Sequence, residues 1–243
     1  MHRFFVGTSL SEGSELCIDG QDARHISKVL RLDAGDEIVV CDKDGYDNLC
    51  VISSASDTDV CVRVQSRTPN PTEPKLSVAL YQGVPKGDKL DTVTQKCAEL
   101  GASLIVPVAM KRSVAIIKDP SKRKDRLQKI AHEASKQCQR AKVPVVKEVM
   151  TFASAIEEAS HSDLCLLPYE EEKSVSIKEV LRGAEGVGSV SIFIGPEGGF
   201  DPSEVELAKK HGFKTVSMGP RILRTETAPL AAITAVMYEL GDW

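Results

Sequence analysis

Residues 191–204 read SIFIGPEGGFDPSE and carry the clearest structural signal in the chain. Its first four residues form an apolar, strand-like run, and a glycine-rich turn, Gly195–Phe200, follows at once. Asp201 can then cap a helix, Pro202 suits the first helical position, and Glu204 completes a capping box. The pattern therefore predicts a strand, a tight turn and a helix. Open α/β sheets bind ligands at such strand ends, because glycines let backbone N–H groups approach closely.

The glycine-rich turn also has a purely structural interpretation. It matches neither the GxxxxGK[ST] phosphate loop nor the GxGxxG dinucleotide fingerprint. A phosphate cradle is therefore poorly supported and a nicotinamide-dependent enzyme is disfavoured. At this point the sequence is also compatible with a tight turn that binds no ligand.

A second irregular segment, Gly219–Thr227, reads GPRILRTET and lies between a predicted strand over 215–218 and an apolar helix. Two arginines and a glutamate are too polar there for simple packing, and loops held by rigid elements commonly carry function. The structural alternative is that Thr227 caps the helix while Glu226 and Arg224 form a surface ion pair.

Strands and helices alternate along the chain from residue 76 onward, which predicts a parallel α/β sheet. The predicted strands cover 76–82, 103–108, 163–168, 190–195 and 215–218, and the predicted helices cover 86–100, 122–141, 202–210 and 228–240.

An extended connector separates this region from the beginning of the chain. The segment TPNPTEP, residues 68–74, has three prolines, which disfavour a helix or a central strand. We therefore predict two domains, 1–72 and 73–243. In the first, β-rich runs over 37–42 and 59–64 predict a small β-barrel with one helix over 22–32.

The charge is unevenly distributed along the chain. The 243 residues carry 31 basic and 35 acidic side chains, a formal charge of −4 that by itself argues against polyanion binding. By segment, the charge is −6 over 1–74, +9 over 75–150 and −7 over 151–243. Residues 111–147 hold 12 basic against 3 acidic side chains. This basic stretch predicts either a phosphate-binding surface or a solvated helix face.

Composition and cysteine spacing restrict the class of protein. With 42% hydrophobic and 27% charged residues, the chain is typical of globular proteins rather than disordered or collagen-like ones. The seven cysteines form no CxxC or zinc spacing, which favours free buried thiols in a reducing compartment. No signal-like or membrane-spanning apolar run occurs, so we expect a cytoplasmic protein.

The two irregular segments together resemble the cofactor loops of a known family. Gly195–Phe200 followed by LRTETA at 223–228 is similar to the SPOUT class of S-adenosylmethionine-dependent RNA methyltransferases, specifically the ribosomal RNA small subunit methyltransferase E family. The resemblance covers the whole chain, since residues 1–6 and 25–36 resemble that family's PUA-like RNA-binding barrel. Cys138-Gln139 departs from the small residues of the family pattern. Matching positions in the middle stand in the family's order: Lys96, Glu99, Leu100, Gly101, Pro107, Arg112, Ser113, Glu133, Ala134, Gln137, Arg140 and Pro144.

The resemblance implies an α/β fold with a SPOUT-type parallel sheet, a deep C-terminal trefoil knot and a small N-terminal PUA-like β-barrel. It also implies a homodimer with S-adenosylmethionine sites near the knot and no metal. The implied reaction is methyl transfer to N3 of a uridine in 16S ribosomal RNA, within the small ribosomal subunit near the decoding centre.

The resemblance also implies site residues. Uridine N3 carries a proton, so methylation needs a base and a group that stabilises negative charge on the uracil oxygens. Glu226 is the first candidate base and Glu197 the second, while Arg224, helped by Arg112, is the candidate stabiliser. The structural alternative is that Glu197 and Arg224 merely pair with each other. Cofactor contacts are expected at Leu167, Pro168, Gly195, Pro196, Glu197, Gly198, Gly199, Met218, Gly219, Leu223, Thr225 and Ala228.

An RNA substrate gives the basic stretch a function, and binding should then weaken steeply with salt. The expected RNA contacts are Arg3, His25, Lys28, Arg31, Lys111, Arg112, Arg123, Lys136 and Arg140, with Lys122, Lys124, Arg126, Lys129 and Lys142 along the same stretch.

Two alternatives from other classes remain. The first is a catalytically silent RNA-binding or ribosome-assembly module, which the intact cofactor loops argue against. The second is a base methylase with a cysteine nucleophile at Cys97, Cys138 or Cys165, for which no histidine lies adjacent in sequence.

Overall fold

A computed structural model describes residues 1–115 and 119–243, so the basic stretch 111–147 includes three residues outside the described part. The chain divides into two compact units. One unit comprises residues 1–73 and 136–142, and the other comprises residues 74–135 and 143–243. The division falls one residue beyond the predicted boundary of 72. Residues 136–142 belong to the first unit, whereas the prediction placed them in the second domain.

The first unit contains a five-stranded sheet with strand order β1-β3-β4-β5-β2. Strand β1 is parallel to β3, and the other neighbours are antiparallel. Phe4, Ile26, Ile38, Ile52 and Val62 form its buried core. The elements are β1 (Arg3–Phe5), β2 (Glu15–Asp19), α1 (Gly20–Arg24), a π-helical turn (His25–Val29), β3 (Glu37–Cys41), β4 (Tyr46–Ala55) and β5 (Asp59–Pro69).

The single helix predicted over 22–32 is wrong in detail. The structure has α1 followed by the π-helical turn, in which the backbone N–H of Leu30 donates to the carbonyl of His25 at 2.9 Å. The helical hydrogen-bond register shifts there by one residue. Arg31, with φ +56°, then ends the helix.

The prediction that all cysteines are free thiols is also wrong. Cys17 on β2 and Cys61 on β5 stand directly opposite each other in the antiparallel ladder and form a disulfide. Their separation of 44 residues hides this pairing from a search for local cysteine motifs. Cys41, Cys50, Cys97 and Cys165 are buried free thiols, and Cys138 is partly exposed.

Several hydrogen bonds hold the segment 136–142 to the rest of the first unit, and the carboxylate of Glu73 makes a group of them. Glu73 accepts hydrogen bonds from the backbone N–H groups of Ala141 at 2.9 Å and Lys142 at 2.8 Å. It also pairs with the guanidinium of Arg140 at 3.2 Å. The ion pair between Arg140 and Glu73 is buried, and it joins the segment to residues that are far from it in sequence.

The second unit is built on a parallel sheet, as the alternation of elements predicted. The strand order is β12-β10-β11-β6-β7-β8, with β9 also paired to β7. Its elements are β6 (Ser77–Gly83), α2 (Lys89–Glu99), β7 (Leu104–Ala109), α3 (Pro120–Gln137), β8 (Val145–Val146), β9 (Met150–Thr151), α4 (Phe152–Ala159), β10 (Leu164–Pro168), α5 (Ile177–Arg182), β11 (Ser189–Ile194), α6 (Pro202–Lys210), β12 (Lys214–Val216) and α7 (Ala228–Leu240).

Apolar side chains are buried on both faces of this sheet, as parallel strands require. Leu80, Ile192 and Leu166 belong to one core cluster, and Tyr81 and Phe193 belong to the other. The prediction passed over four short elements, β8, β9, α4 and α5, although α5 begins with a capping box. Among the described residues, no helix is long and apolar enough to span a membrane.

Parallel pairing brings the carboxyl ends of β6, β10, β11 and β12 to one edge of the sheet. Gly83, the last residue of β6, lies against the turn that follows β11. A Cβ at this position would lie 2.6 Å from Pro196 Cδ and 2.7 Å from its backbone nitrogen. Only glycine therefore allows the two chain segments to approach this closely.

Candidate active site

A cavity of about 420 Å³ opens at this edge of the sheet. We name its two main walls the glycine loop (Gly195–Asp201) and the arginine loop (Gly219–Thr227). Strand ends, the segment after β10 and the first residue of α2 complete it. The lining residues are Lys89, Pro168, Tyr169, Glu170, Lys173, Ile194, Gly195, Pro196, Glu197, Gly199, Phe200, Ser217, Met218, Gly219, Pro220, Arg221, Ile222, Leu223, Arg224, Thr225, Glu226 and Ala228.

Most of the predicted cofactor residues line this cavity. Leu167 does not, because its side chain is fully buried in the core of the sheet. Gly198 and Arg112 are also absent from the lining, although the Arg112 guanidinium donates to the Gly198 carbonyl at 3.2 Å. The structure therefore places Arg112 behind the glycine loop.

The glycine loop is fixed at both of its ends. The backbone N–H of Gly199 donates to the carbonyl of Pro196 at 3.0 Å, which closes a turn. Asp201 and Glu204 form the predicted capping box at the start of α6. Gly199 has φ +66°, and a Cβ there would collide with the carboxylate of Glu170. The left-handed backbone conformation favours glycine at this position, and any larger residue would also have to push the flexible Glu170 side chain aside.

A buried hydrogen-bond chain joins the two loops. The hydroxyl of Thr225 donates to the carbonyl of Gly195 at 2.7 Å, and the Gln82 amide donates to the Thr225 hydroxyl at 3.0 Å. Gln82 is fully buried and Thr225 is 6% exposed. Thr225 therefore holds the arginine loop against the glycine loop.

A lysine that the prediction missed lies between the two candidate bases. Lys89 Nζ is 2.9 Å from Glu197 Oε1 and 3.3 Å from Glu226 Oε2. We call these three residues the Lys89 cluster. The position of Lys89 after the end of β6 is the signal that could have identified it, because ligand sites form at such ends.

The alternative ion pairs do not form. Glu197 and Glu226 both pair with Lys89, and Arg224 makes no ion pair within the described part of the chain. Thr227 stands at the start of α7 but its side chain caps no backbone N–H of the helix. The structure thus contradicts the purely structural interpretation of the arginine loop.

Hydrogen bonds within the Lys89 cluster favour the charged forms of Lys89 and Glu197. The hydrogen bond with Glu197 is the main cause that raises the pKa of Lys89 above its usual value. Burial opposes ionisation of Glu197, but hydrogen bonds from Lys89 and from the backbone N–H of Lys86 outweigh it and lower its pKa. Lys89 therefore stays protonated while Glu197 stays ionised.

Several predicted RNA-binding cations are already bound to carboxylates. Arg3 makes two hydrogen bonds to Asp47 at 2.6 and 2.7 Å, and the buried Arg140 pairs with Glu73 at 3.2 Å. These two assignments to RNA are disfavoured because both guanidinium groups are enclosed.

The other predicted cations differ in how accessible they are. Arg123 pairs with Asp91, Lys136 with Asp22, Lys28 with Asp57, and Lys111 with Ser203 and Asp201. His25 packs edge-on against Phe4, and Arg31 is exposed. On α3, Lys122, Arg126 and Lys129 line a shallow depression.

The candidate cysteine nucleophiles lie outside the described lining of the cavity. None of its described lining residues is a cysteine. Burial raises the pKa of the Cys97 and Cys165 thiols, which makes a thiolate nucleophile at either position unfavourable. The described residues contain no group of three or more His, Cys, Asp or Glu side chains arranged to hold a metal ion.

Family models match both parts of the chain. A model described as an RNA methyltransferase domain matches residues 72–237, and one described as an RNA methyltransferase PUA domain matches residues 18–65. The chain is 35% identical to ribosomal RNA small subunit methyltransferase E from Bacillus subtilis, over 98% of this chain and 97% of that protein.

Solved structures resemble the whole chain. One is a ribosomal RNA small subunit methyltransferase E from Neisseria gonorrhoeae bound to S-adenosyl methionine, with TM-score 0.88, 29% identity and coverage of 100% of this chain and 99% of that one. Another is a methyltransferase from Legionella pneumophila in complex with the same cofactor, with TM-score 0.87, 28% identity and coverage of 99% and 98%.

Proposed function

Because this chain belongs to the RNA methyltransferase family, we propose that it transfers a methyl group from S-adenosylmethionine to N3 of a uridine in 16S ribosomal RNA of the small subunit. One observation carries the proposal. A single cavity at the carboxyl edge of a parallel sheet is lined by the glycine loop, by the carboxylates of Glu197 and Glu226, and by Arg224, which makes no ion pair with the described residues.

The cavity suits a cofactor of this size and charge. Its volume of about 420 Å³ lies within the range typical of small-molecule sites. Ile194, Met218 and Leu223 provide apolar contacts for a purine ring, while Gly195 and Gly199 leave the backbone accessible. Glu170 adds a negative charge to the wall, which suits a cationic ligand. When bound, the sulfonium supplies an already activated methyl group.

Glu226 is the better candidate for the base. Oε1 of Glu197 accepts hydrogen bonds from Lys89 Nζ at 2.9 Å and from the Lys86 backbone N–H at 3.1 Å, so Glu197 is committed to holding these two donors. Oε2 of Glu226 is buried and has no hydrogen-bond partner in the described part of the chain. Glu226 would therefore take the N3 proton while the methyl carbon exchanges its bond to sulfur for a bond to N3, which would release S-adenosylhomocysteine. Glu226 would later pass the proton to water.

Arg224 is the proposed stabiliser of the uracil oxygens. It is exposed at the cavity and makes no ion pair with the described residues, so its guanidinium is available to a substrate. Deprotonation of N3 spreads negative charge onto the flanking carbonyl oxygens, and a positioned cation lowers the energy of that state. Arg112 assists indirectly, by supporting the glycine loop at Gly198.

The RNA contacts are proposed for the accessible cations rather than for all basic residues. Lys122, Arg126 and Lys129 on α3 are the main candidates, and His25, Lys28 and Arg31 in residues 1–72 are further ones. Phosphate binding releases counterions, so RNA affinity should fall steeply as salt increases. An affinity independent of salt would contradict this part of the proposal.

We also propose the knot, the homodimer and a cytoplasmic location. Support for a knot comes from the sheet order, because β12 lies at one end while α7, which follows it, packs against β6 and β11. Support for a dimer comes from two large exposed apolar side chains, Ile222 and Tyr238. Ribosomal RNA as the substrate supports the cytoplasm.

Isothermal titration and methyl transfer test the proposed function. Purified protein should bind S-adenosylmethionine at one site per chain and transfer a labelled methyl group to small subunits that lack the modification. Cofactor binding without transfer to any RNA would contradict the proposal. Absence of both, with RNA still bound, would favour the catalytically silent RNA-binding module.

A further inference from the structure

Lys89 bridges a carboxylate on each of the two loops that form the main walls of the cavity. It is the first residue of α2, and the segment before it leaves the carboxyl end of β6. Glu197 belongs to the glycine loop and Glu226 to the arginine loop. One side chain therefore connects the start of α2 to both loops.

The contacts of the two carboxylates with Lys89 are unequal. Glu197 is held at 2.9 Å and has a second donor in the backbone of the same segment, the Lys86 N–H. Glu226 has only the ammonium group, at 3.3 Å, near its buried Oε2. Glu197 thus fixes the position of Lys89, and Lys89 in turn fixes Glu226.

The charges of the cluster require a cation at this position. Without the ammonium group the two carboxylates would repel each other and move apart, and a displaced Glu226 could not reach the N3 proton. The Lys89 side chain is only 33% exposed, so solvent does not replace it fully. The other charged groups on the cavity wall are Glu170, Lys173, Arg221 and Arg224.

We propose that Lys89 is a positioning residue for methyl transfer, whose ammonium group holds the Glu226 carboxylate in place to accept the N3 proton. This inference rests on the proposed function and adds a residue to it. Lys89 does not itself exchange a proton with the substrate. It acts through Glu226, and Glu197 anchors it.

The test compares Lys89→Met, Lys89→Arg and the control Lys178→Met. Lys178 is exposed on α5 and makes none of the described ion pairs, so the control removes the same charge without touching the cavity. We measure kcat and KM for small subunits across pH, S-adenosylmethionine affinity by titration, and the unfolding midpoint.

Lys89→Met should lower kcat at neutral pH about 10- to 100-fold, a part of the effect expected for losing a general base. The loss follows because the Glu226 carboxylate is no longer held in position. Lys89→Arg keeps the cation and should restore most of the rate across the pH range. KM, cofactor affinity and the unfolding midpoint should change little.

Two results would overturn the inference. One is a kcat of Lys89→Met within a few-fold of wild type. The other is a loss confined to KM, cofactor affinity or the unfolding midpoint, which a structural role would produce. If the unmodified protein itself transfers no methyl group to RNA, the proposed function fails as well. If it does and the kcat of Lys89→Met is unchanged, only the role of Lys89 fails.

Discussion

The glycine loop and the arginine loop face the same cavity but are held in different ways. The glycine loop is closed by its own turn, by the capping box of α6 and by the two donors on Glu197. The arginine loop is attached mainly through Thr225, and its Ile222 is 87% exposed. The difference suggests a division of labour, in which the fixed loop positions the cofactor and the other loop carries the groups that meet the substrate.

The largest effect should come from removing the carboxylate of the arginine loop. Glu226→Gln keeps the shape of the side chain but cannot take the N3 proton, so kcat should fall at least about 100-fold. Glu197→Gln should cost much less, because Glu197 serves mainly to hold Lys89. Steady-state methyl transfer with both variants measures the contrast. An equal loss in the two would contradict the division between the loops.

Arg224→Ala should produce the next largest effect. Loss of the cation that stabilises the uracil oxygens should lower kcat about 10- to 100-fold, with cofactor affinity unchanged within a few-fold. Arg112→Ala, behind the glycine loop, provides the comparison and should weaken cofactor binding instead. Turnover of Arg224→Ala within a few-fold of wild type would show that its assigned role is wrong.

Gly199→Ala should act on the cofactor rather than on the substrate. An alanine at φ +66° costs about 1–2 kcal/mol, and its methyl group also displaces Glu170. Gly186 has nearly the same φ, +67°, and open space around it, so Gly186→Ala isolates the backbone cost. Cofactor affinity should fall about 10-fold only in Gly199→Ala. Similar affinities in both variants would mean that the close approach at Gly199 has no role in binding.

The smallest effect should come from removing the Thr225 hydroxyl, whose hydrogen bonds join the two loops. Thr225→Val leaves the Gly195 carbonyl and the buried Gln82 amide without the hydroxyl, and should lower the free energy of unfolding by about 1–3 kcal/mol. Thr227→Val is the matched control, because Thr227 makes no capping hydrogen bond with its side chain. Chemical denaturation checks both variants. Equal stabilities would mean that these hydrogen bonds contribute little.

Local patterns predicted much of the fold. The helices expected over 202–210 and 228–240 have those bounds in the structure, because a capping box marks the first and sustained apolar character marks the second. The shift into π-helical bonding after Arg24 and the pairing of Cys17 with Cys61 were missed. Both depend on packing in space, which short sequence windows do not contain.

The site was predicted in part for the same reason. Both loops were identified because each departs from the regular pattern around it. Lys89 was missed because its importance depends on β6 lying next to β11, an order that the sequence does not state. Arg3 and Arg140 were assigned to RNA because their partners, Asp47 and Glu73, lie 44 and 67 residues away.

The position of the transferred methyl group shows whether the protein methylates N3 of a uridine in 16S ribosomal RNA. Small subunits from a strain that lacks this gene are incubated with the purified protein and isotopically labelled S-adenosylmethionine, and the 16S RNA is digested to nucleosides. Mass spectrometry should find the label in N3-methyluridine, in an amount approaching one per subunit. A label found only in another nucleoside, or no transfer at all, would contradict the account.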